Sequence, residues 1–275
     1  MTAPNAETAL RVFMRAALRQ RWRKYRKDFA RCRRRPSEDA VHDLRVESRR
    51  LLATLDALGS LVPRRTVQEA RRAIKKRTRG LGSLRDVQVQ RTAVHDLSQQ
   101  VPVLSGLDTL LARDERRRTS KTVRRLKRHA GGDVADAILA LRHALRAPAP
   151  RSSAAAAGRP LVPALAAACE AVEDRFAAID PEQPATIHLA RKELRRFRYL
   201  AEVFEPVVAA ITQRYLDHLQ SVQGDMGHIQ DATVLNATVD RYLNKHATAA
   251  DEAEPTRDIL DRRRAALIEK FLRRR

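Results

Sequence analysis

Aromatic residues are scarce: six Phe, four Tyr and one Trp in 275 residues. A protein that holds nucleic acid by stacking bases needs exposed rings, and a core takes several of these for itself. Nine Gly and twelve Pro are few for an all-β chain with frequent turns. The two cysteines, Cys32 and Cys169, lie far apart, show no zinc spacing, and are expected as reduced, buried helix positions. No uncharged apolar run approaches the roughly 18 residues of a membrane span. The stretch Met1-Thr2-Ala3-Pro4-Asn5 leads to Arg11 without an apolar signal segment. There is no Gly-x-x-x-x-Gly-Lys phosphate loop and no evident acidic cluster for magnesium. These absences predict a cytoplasmic protein that is not an enzyme and needs no cofactor or metal.

What is abundant is positive charge. Lys and Arg number 55 against 33 Asp and Glu, a net charge of +22, and 46 of the 55 bases are Arg. Arginine carries a planar fork of donors that grips phosphate in a bidentate way. Charge speaks to partners rather than to fold, so the composition points to a polyanion. A hydrophobic content of 43% still permits a real core. The excess is uneven: residues 1–146 hold 36 bases and 15 acids, residues 147–275 hold 19 and 18.

Nearly every segment has a helical period, which predicts an all-α fold. Helices are expected at about 7–34, 37–60, 64–99 with a bend or break at Gly80 and Gly82, 103–129 and 134–146. Ser37 is placed to cap the second, with Glu38 and Asp39 in its first turn. The run Ala147-Pro148-Ala149-Pro150 opens a linker at 147–160. Further helices are expected at about 162–179, 184–204, 207–246, with a break near Gly224 or Gly227, and 252–275. Long helices with short connections suggest antiparallel bundles.

The chain also repeats itself. Val41-His42-Asp43-Leu44-Arg45 with Arg49-Arg50 pairs with Ile187-His188-Leu189-Ala190-Arg191 with Arg195-Arg196, at an offset of 146. Leu81-Gly82-Ser83-Leu84-Arg85-Asp86 pairs with Met226-Gly227-His228-Ile229-Gln230-Asp231 at 145. Arg116-Arg117-Arg118 pairs with Arg262-Arg263-Arg264 at 146. The sequence therefore divides into a first repeat, 1–146, and a second, 161–275.

At 100° per residue, with His42 at 0°, Arg45 and Arg49 fall at about 300° and 340°, while Leu44, Leu51, Leu55 and Leu58 fall between about 160° and 220°. His188, Arg191, Arg195 and Arg198 likewise share about 80° of arc, opposite Leu194, Phe197, Ala201 and Phe204. Each helix is expected to bury one stripe and present the other. Like charges three and four residues apart repel, so a face that keeps several of them gains from an anion; the alternative is an ordinary solvated face.

Arg11, Arg15, Arg19, Arg23 and Arg26 form a similar row on the first helix, and Arg72, Lys75, Lys76 and Arg79 on the third; both also fit a basic surface helix. Arg31 and Arg33 to Arg35 suit a helix C-terminus. His42 and His188, each opening a basic stripe, can donate to phosphate. Neither has an acid, Cys or second His at i+3 or i+4, so metal ligation is not expected. Asp86 and Asp231 read as helix caps or as salt-bridge partners that orient an Arg.

The block His42-x-x-Arg45-x-x-x-Arg49-Arg50, its copy His188-x-x-Arg191-x-x-x-Arg195-Arg196-x-Arg198-Tyr199, and the Gly-x-x-Arg/Gln-Asp segment resemble the CHAD family, the conserved-histidine α-helical domain. The resemblance covers about residues 5–275. It implies two antiparallel four-helix bundles about a pseudo-two-fold axis, binding of inorganic polyphosphate on a basic surface, and residence at polyphosphate granules. It places the basic contacts on His42, Arg45, Arg49, Arg50, His188, Arg191, Arg195, Arg196 and Arg198. Arg15, Arg19, Lys76 and Arg79 join these as candidates. The chain departs from symmetry where Leu52 faces Arg198 and where Gln230 faces Arg85. The runner-up function is nucleic-acid binding, which the charge permits but for which the sequence shows no recognition motif.

Overall fold

The computed structural model describes residues 6–147, 161–246 and 250–274. Among them the regular structure is helical and there is no strand, as the periodicity predicts. The helices are α1 Ala6–Arg34, α2 Glu38–Ala57, α3 Arg64–Thr78, α4 Leu81–Ser98, α5 Ser105–Arg128, α6 Asp133–Ala144, α7 Leu161–Ala177, α8 Pro184–Phe204, α9 Gln213–Lys245 and α10 Ala250–Leu272. The linker expected at 147–160 lies, beyond Ala147, outside the described residues.

Local chemistry sets several boundaries. Ser37 caps α2: its hydroxyl accepts from the Ala40 amide, and Glu38 and Asp39 lie in the first turn. The expected third helix is two, α3 and α4. Gly80 sits between them with φ +95°, in a region that costs any residue with a side chain. The last expected break is absent. α9 begins at Gln213 rather than near 207, and it runs unbroken through Gly224 and Gly227. A glycine inside a helix costs only about 1 kcal/mol. The burial of Met226, Ile229, Leu235 and Val239 on a helix packed with α10 offsets that.

Contacts divide the chain into two compact units. The first comprises Met1–Gly82, Lys121–Ala171 and Arg196–Thr212. In it α1 and α2, joined only by Arg35–Ser37, pack as a hairpin, α3 packs on α2, and α6 packs on α3. Leu44, Leu51, Leu55 and Leu58 are fully buried, the stripe the sequence assigned inward. Trp22 stacks on Tyr25 at 5.5 Å and Tyr25 on Phe29 at 6.1 Å. Arg77, itself buried, lies over the Phe29 ring at 5.0 Å and donates to the Gly131 carbonyl at 2.5 Å. Cys32 is buried, but Cys169 is only half-buried, and neither is in a disulfide.

The second unit comprises Ser83–Ser120, Val172–Arg195 and Gln213–Arg275. Here α9 packs on α10, and Phe271 meets Phe176 edge-on at 6.5 Å. On α8 Leu194 is buried in this unit, and Phe197, Ala201 and Phe204 are buried in the first, so the inward stripe of that helix too is where its spacing put it.

Candidate functional site

In the first unit α2 carries His42, Arg45, Arg49 and Arg50. His42 is exposed, and the three arginines are half-buried. Arg45 reaches across to the start of α4, where its Nη1 donates to the carbonyl oxygens of Leu81 at 3.2 Å and Gly82 at 2.7 Å. These neutral acceptors fix the guanidinium in place.

Arg50 has a different role. It points at Glu202, donating from Nε to Oε2 at 2.7 Å and from Nη2 to Oε1 at 3.2 Å. The same carboxylate receives Arg198 Nη1 at 2.9 Å and Arg21 Nη2 at 3.4 Å. One acid thus holds three guanidinia. Buried Glu47 lies 3.9 Å from Arg21. Burial pushes its carboxyl above the usual carboxylate range, and Arg21, Arg50 and Lys24 oppose the shift. Burial also works against the charge on Arg50, but Glu202 outweighs it and raises the guanidinium above its ordinary value. The Tyr199 ring lies 4.6 Å from the Arg198 guanidinium and 5.8 Å from that of Arg50, adding cation–π attraction. Arg198 is only 5% exposed. The spacing had put it on the presented stripe of α8; Glu202 and Tyr199 instead take it inside.

The remaining candidates of this unit are more open. Arg196 is exposed. Its charge, after burial, holds the neighbouring Arg71 below the ordinary arginine range, and Arg71 also pairs with Asp56. Arg19 and Arg79 are exposed and Arg15 half-buried. Lys76 is exposed, with Asp133 at 3.8 Å. A cleft of about 690 Å³ between α1 and the end of α8 is lined by Phe13, Ala17, Arg19, Arg23 and Val203. Arg11 leads the α1 row but binds Glu7 at 2.9 Å.

In the second unit His188, Arg191 and Arg195 are half-buried on α8. The Arg191 guanidinium lies against α9: a Cβ built at Gly227 would stand 3.1 Å from its Nη2 and 3.6 Å from its Cζ and Nε. His188 hydrogen-bonds Gln230 of α9. Its imidazole titrates below the ordinary histidine value, chiefly through burial and then through the charges of Arg191, Lys192 and Arg195, while the Gln230 bond opposes the shift. The departure from the repeat at Gln230 therefore supports the histidine. Asp86 and Asp231 sit beyond the first turn of α4 and inside α9, so neither caps a helix; of the other expectation, an acid beside an arginine, the charge of Arg191 acts on the Asp231 carboxyl. No group of three or more His, Cys, Asp or Glu among the described residues is arranged to hold a metal ion. No helix among them is long and apolar enough to cross a membrane.

Sequence reasoning missed Glu202, Glu47, Arg21 and the two glycines as arginine seats. Glu202 stands four residues after Arg198, a spacing that favours an ion pair. The glycines occupy matched repeat positions, which was the available signal for them.

The crystal structure of the CHAD domain from the plant Ricinus communis is similar with a TM-score of 0.69 at 18% identity, over 96% of this chain and 90% of that one. PptA from Streptomyces chartreusis is similar with a TM-score of 0.64 at 19% identity, over 99% and 98%. At these identities the likeness is one of fold. No curated protein matches the chain. The CHAD domain family model matches residues 16–240, which contain both His/Arg blocks. The chain belongs to the CHAD domain family.

Proposed function

We propose that this protein binds inorganic polyphosphate, without catalysis, through its duplicated His/Arg faces, and that this carries it to polyphosphate granules in the cytoplasm. The family is associated with polyphosphate or triphosphate binding. One observation in the protein itself carries the reading. Arg45 in one unit and Arg191 in the other each pack against helix backbone at a glycine, a fixed position from which a guanidinium can meet a phosphate. Preorganised donors lose less side-chain entropy on binding.

The rings argue against nucleic acid. Tyr215, at 37% exposure, is the one exposed aromatic residue among the described residues. Tyr25, Phe29, Phe197, Tyr199, Phe204 and Phe271 are buried. Base stacking has little to work with, whereas phosphate needs none.

The test is a titration with polyphosphate of several chain lengths against DNA and RNA of matched charge, at physiological salt. Polyphosphate should bind tighter, and its affinity should fall steeply as salt rises, by analogy with counterion release from nucleic acid. Equal or tighter binding of nucleic acid overturns the reading. Phosphate release with magnesium or manganese, abolished by His42→Ala or His188→Ala, would overturn its non-catalytic part.

A further inference from the structure

Two arginines from matched sequence blocks meet two glycines from matched blocks. In the first unit the Arg45 Nη1 would stand 3.4 Å from a Cβ at Gly82, at the edge of ordinary contact. In the second the Arg191 Nη2 would stand 3.1 Å from a Cβ at Gly227, closer than side chains normally come. Three guanidinium atoms of Arg191 lie within 3.6 Å of that point, so the group rests over the backbone where a side chain would begin. Gly227 is interior to α9 and buried; nothing in helix geometry calls for a glycine there, and alanine is the better helix former. Gly224, one turn earlier in the same helix, has open space where its Cβ would be. The glycine at 227 therefore answers to Arg191, and not to a bend in the helix.

We propose that Gly227, and to a smaller degree Gly82, are positioning residues: their missing side chains let the Arg191 and Arg45 guanidinia lie on α9 and α4, and that seat sets where each presents its charge to an anion. The seat is a property of each unit alone. Its consequence for affinity rests on the polyphosphate reading.

The discriminating variants are Gly227→Ala, Gly82→Ala and, as control, Gly224→Ala. Each is followed by polyphosphate titration, by melting temperature and by the Nε–Hε NMR signal of the seated arginine, which Arg191→Lys or Arg45→Lys identifies by its disappearance. Gly227→Ala should shift the Arg191 signal and weaken binding about fivefold, the loss of one well-placed charged hydrogen bond. Gly82→Ala should shift the Arg45 signal less and cost about twofold, in keeping with its longer distance. Gly224→Ala should leave the Arg191 signal and the affinity at wild type. A purely structural glycine would move the melting temperature and leave affinity alone.

An unmoved Arg191 signal with unchanged affinity in Gly227→Ala overturns the proposal, as does an equal affinity loss in Gly224→Ala. Should Gly227→Ala fail to fold, Gly82→Ala with the Arg45 signal decides in its place. Should wild type bind no polyphosphate, the function proposed above fails, and the arginine signals alone decide whether the seats exist.

Discussion

Arg50 and Arg191 belong to the two His/Arg blocks of one repeating sequence, yet they are held in opposite ways. Arg50 is gripped by the Glu202 carboxylate together with Arg21 and Arg198. Its charge is compensated from within. Arg191 rests on the backbone of α9 at a glycine, beside a histidine supported by the neutral amide of Gln230. An arginine held by a carboxylate stabilises the fold and has little attraction left for a phosphate. Arg45 is held by backbone carbonyls, and Arg191 lies on helix backbone with the Asp231 carboxylate acting on its charge. The partner, not the arginine, decides which role a basic residue plays.

The largest effect should come from the backbone-seated pair. Arg45→Glu with Arg191→Glu should weaken polyphosphate binding about a thousandfold, since each reversal replaces attraction by repulsion. Far-ultraviolet circular dichroism should stay helical. Unfolding of the double variant would assign these residues to the core and break the contrast. Glu202→Ala should instead remove the acid that three guanidinia share and cost about 3 kcal/mol of stability, measured by urea denaturation, with added polyphosphate failing to restore it. Full restoration by polyphosphate would mean that the Glu202 cluster is itself a ligand site.

Single truncations sharpen the comparison further. Arg198→Ala should lower the melting temperature by several degrees, about 1–2 kcal/mol for a buried charged hydrogen bond, and change affinity less than twofold. Arg196→Ala, at an exposed position, should do the reverse. The smallest effect concerns His188. Its folded pKa lies below the ordinary value, chiefly through burial, so the unfolded chain takes up the proton first. The stability it contributes is present above its ordinary pKa and is lost as pH falls through the folded value. Thermal melts should show this acid loss in wild type and less of it in His188→Gln. Bound polyphosphate should raise the same pKa, seen as proton uptake in calorimetry run in buffers of different ionisation enthalpy.

Much of the fold was legible because a 3.6-residue period survives any tertiary arrangement. The Leu44–Leu58 stripe, the Ser37 cap and the break at Gly80 each depend on neighbours in sequence. α9 was misjudged because two glycines looked like breakers; the packing that carries the helix through them comes from α10, remote from either. The His/Arg stripes were legible as directions around a helix. Depth was not, since Arg198 lies on the right arc and is buried all the same. The Glu202 cluster draws Arg21, Arg50 and Arg198 from three helices, and no local pattern brings Arg21 or Arg50 to that acid. The glycine seats were written in the repeat, but only the approach of a guanidinium explains why glycine stands at Gly227.

The stack of Trp22 on Tyr25 has a use of another kind. Trp22 is the single tryptophan of the chain, half-buried on α1 between Arg21 and Arg23. Its emission belongs to that helix alone. An anion settling along Arg15, Arg19 and Arg23 would alter the colour and quenching of this one fluorophore. The protein thus carries its own optical label for the α1 row, at the place where the basic surface is hardest to assign by charge alone.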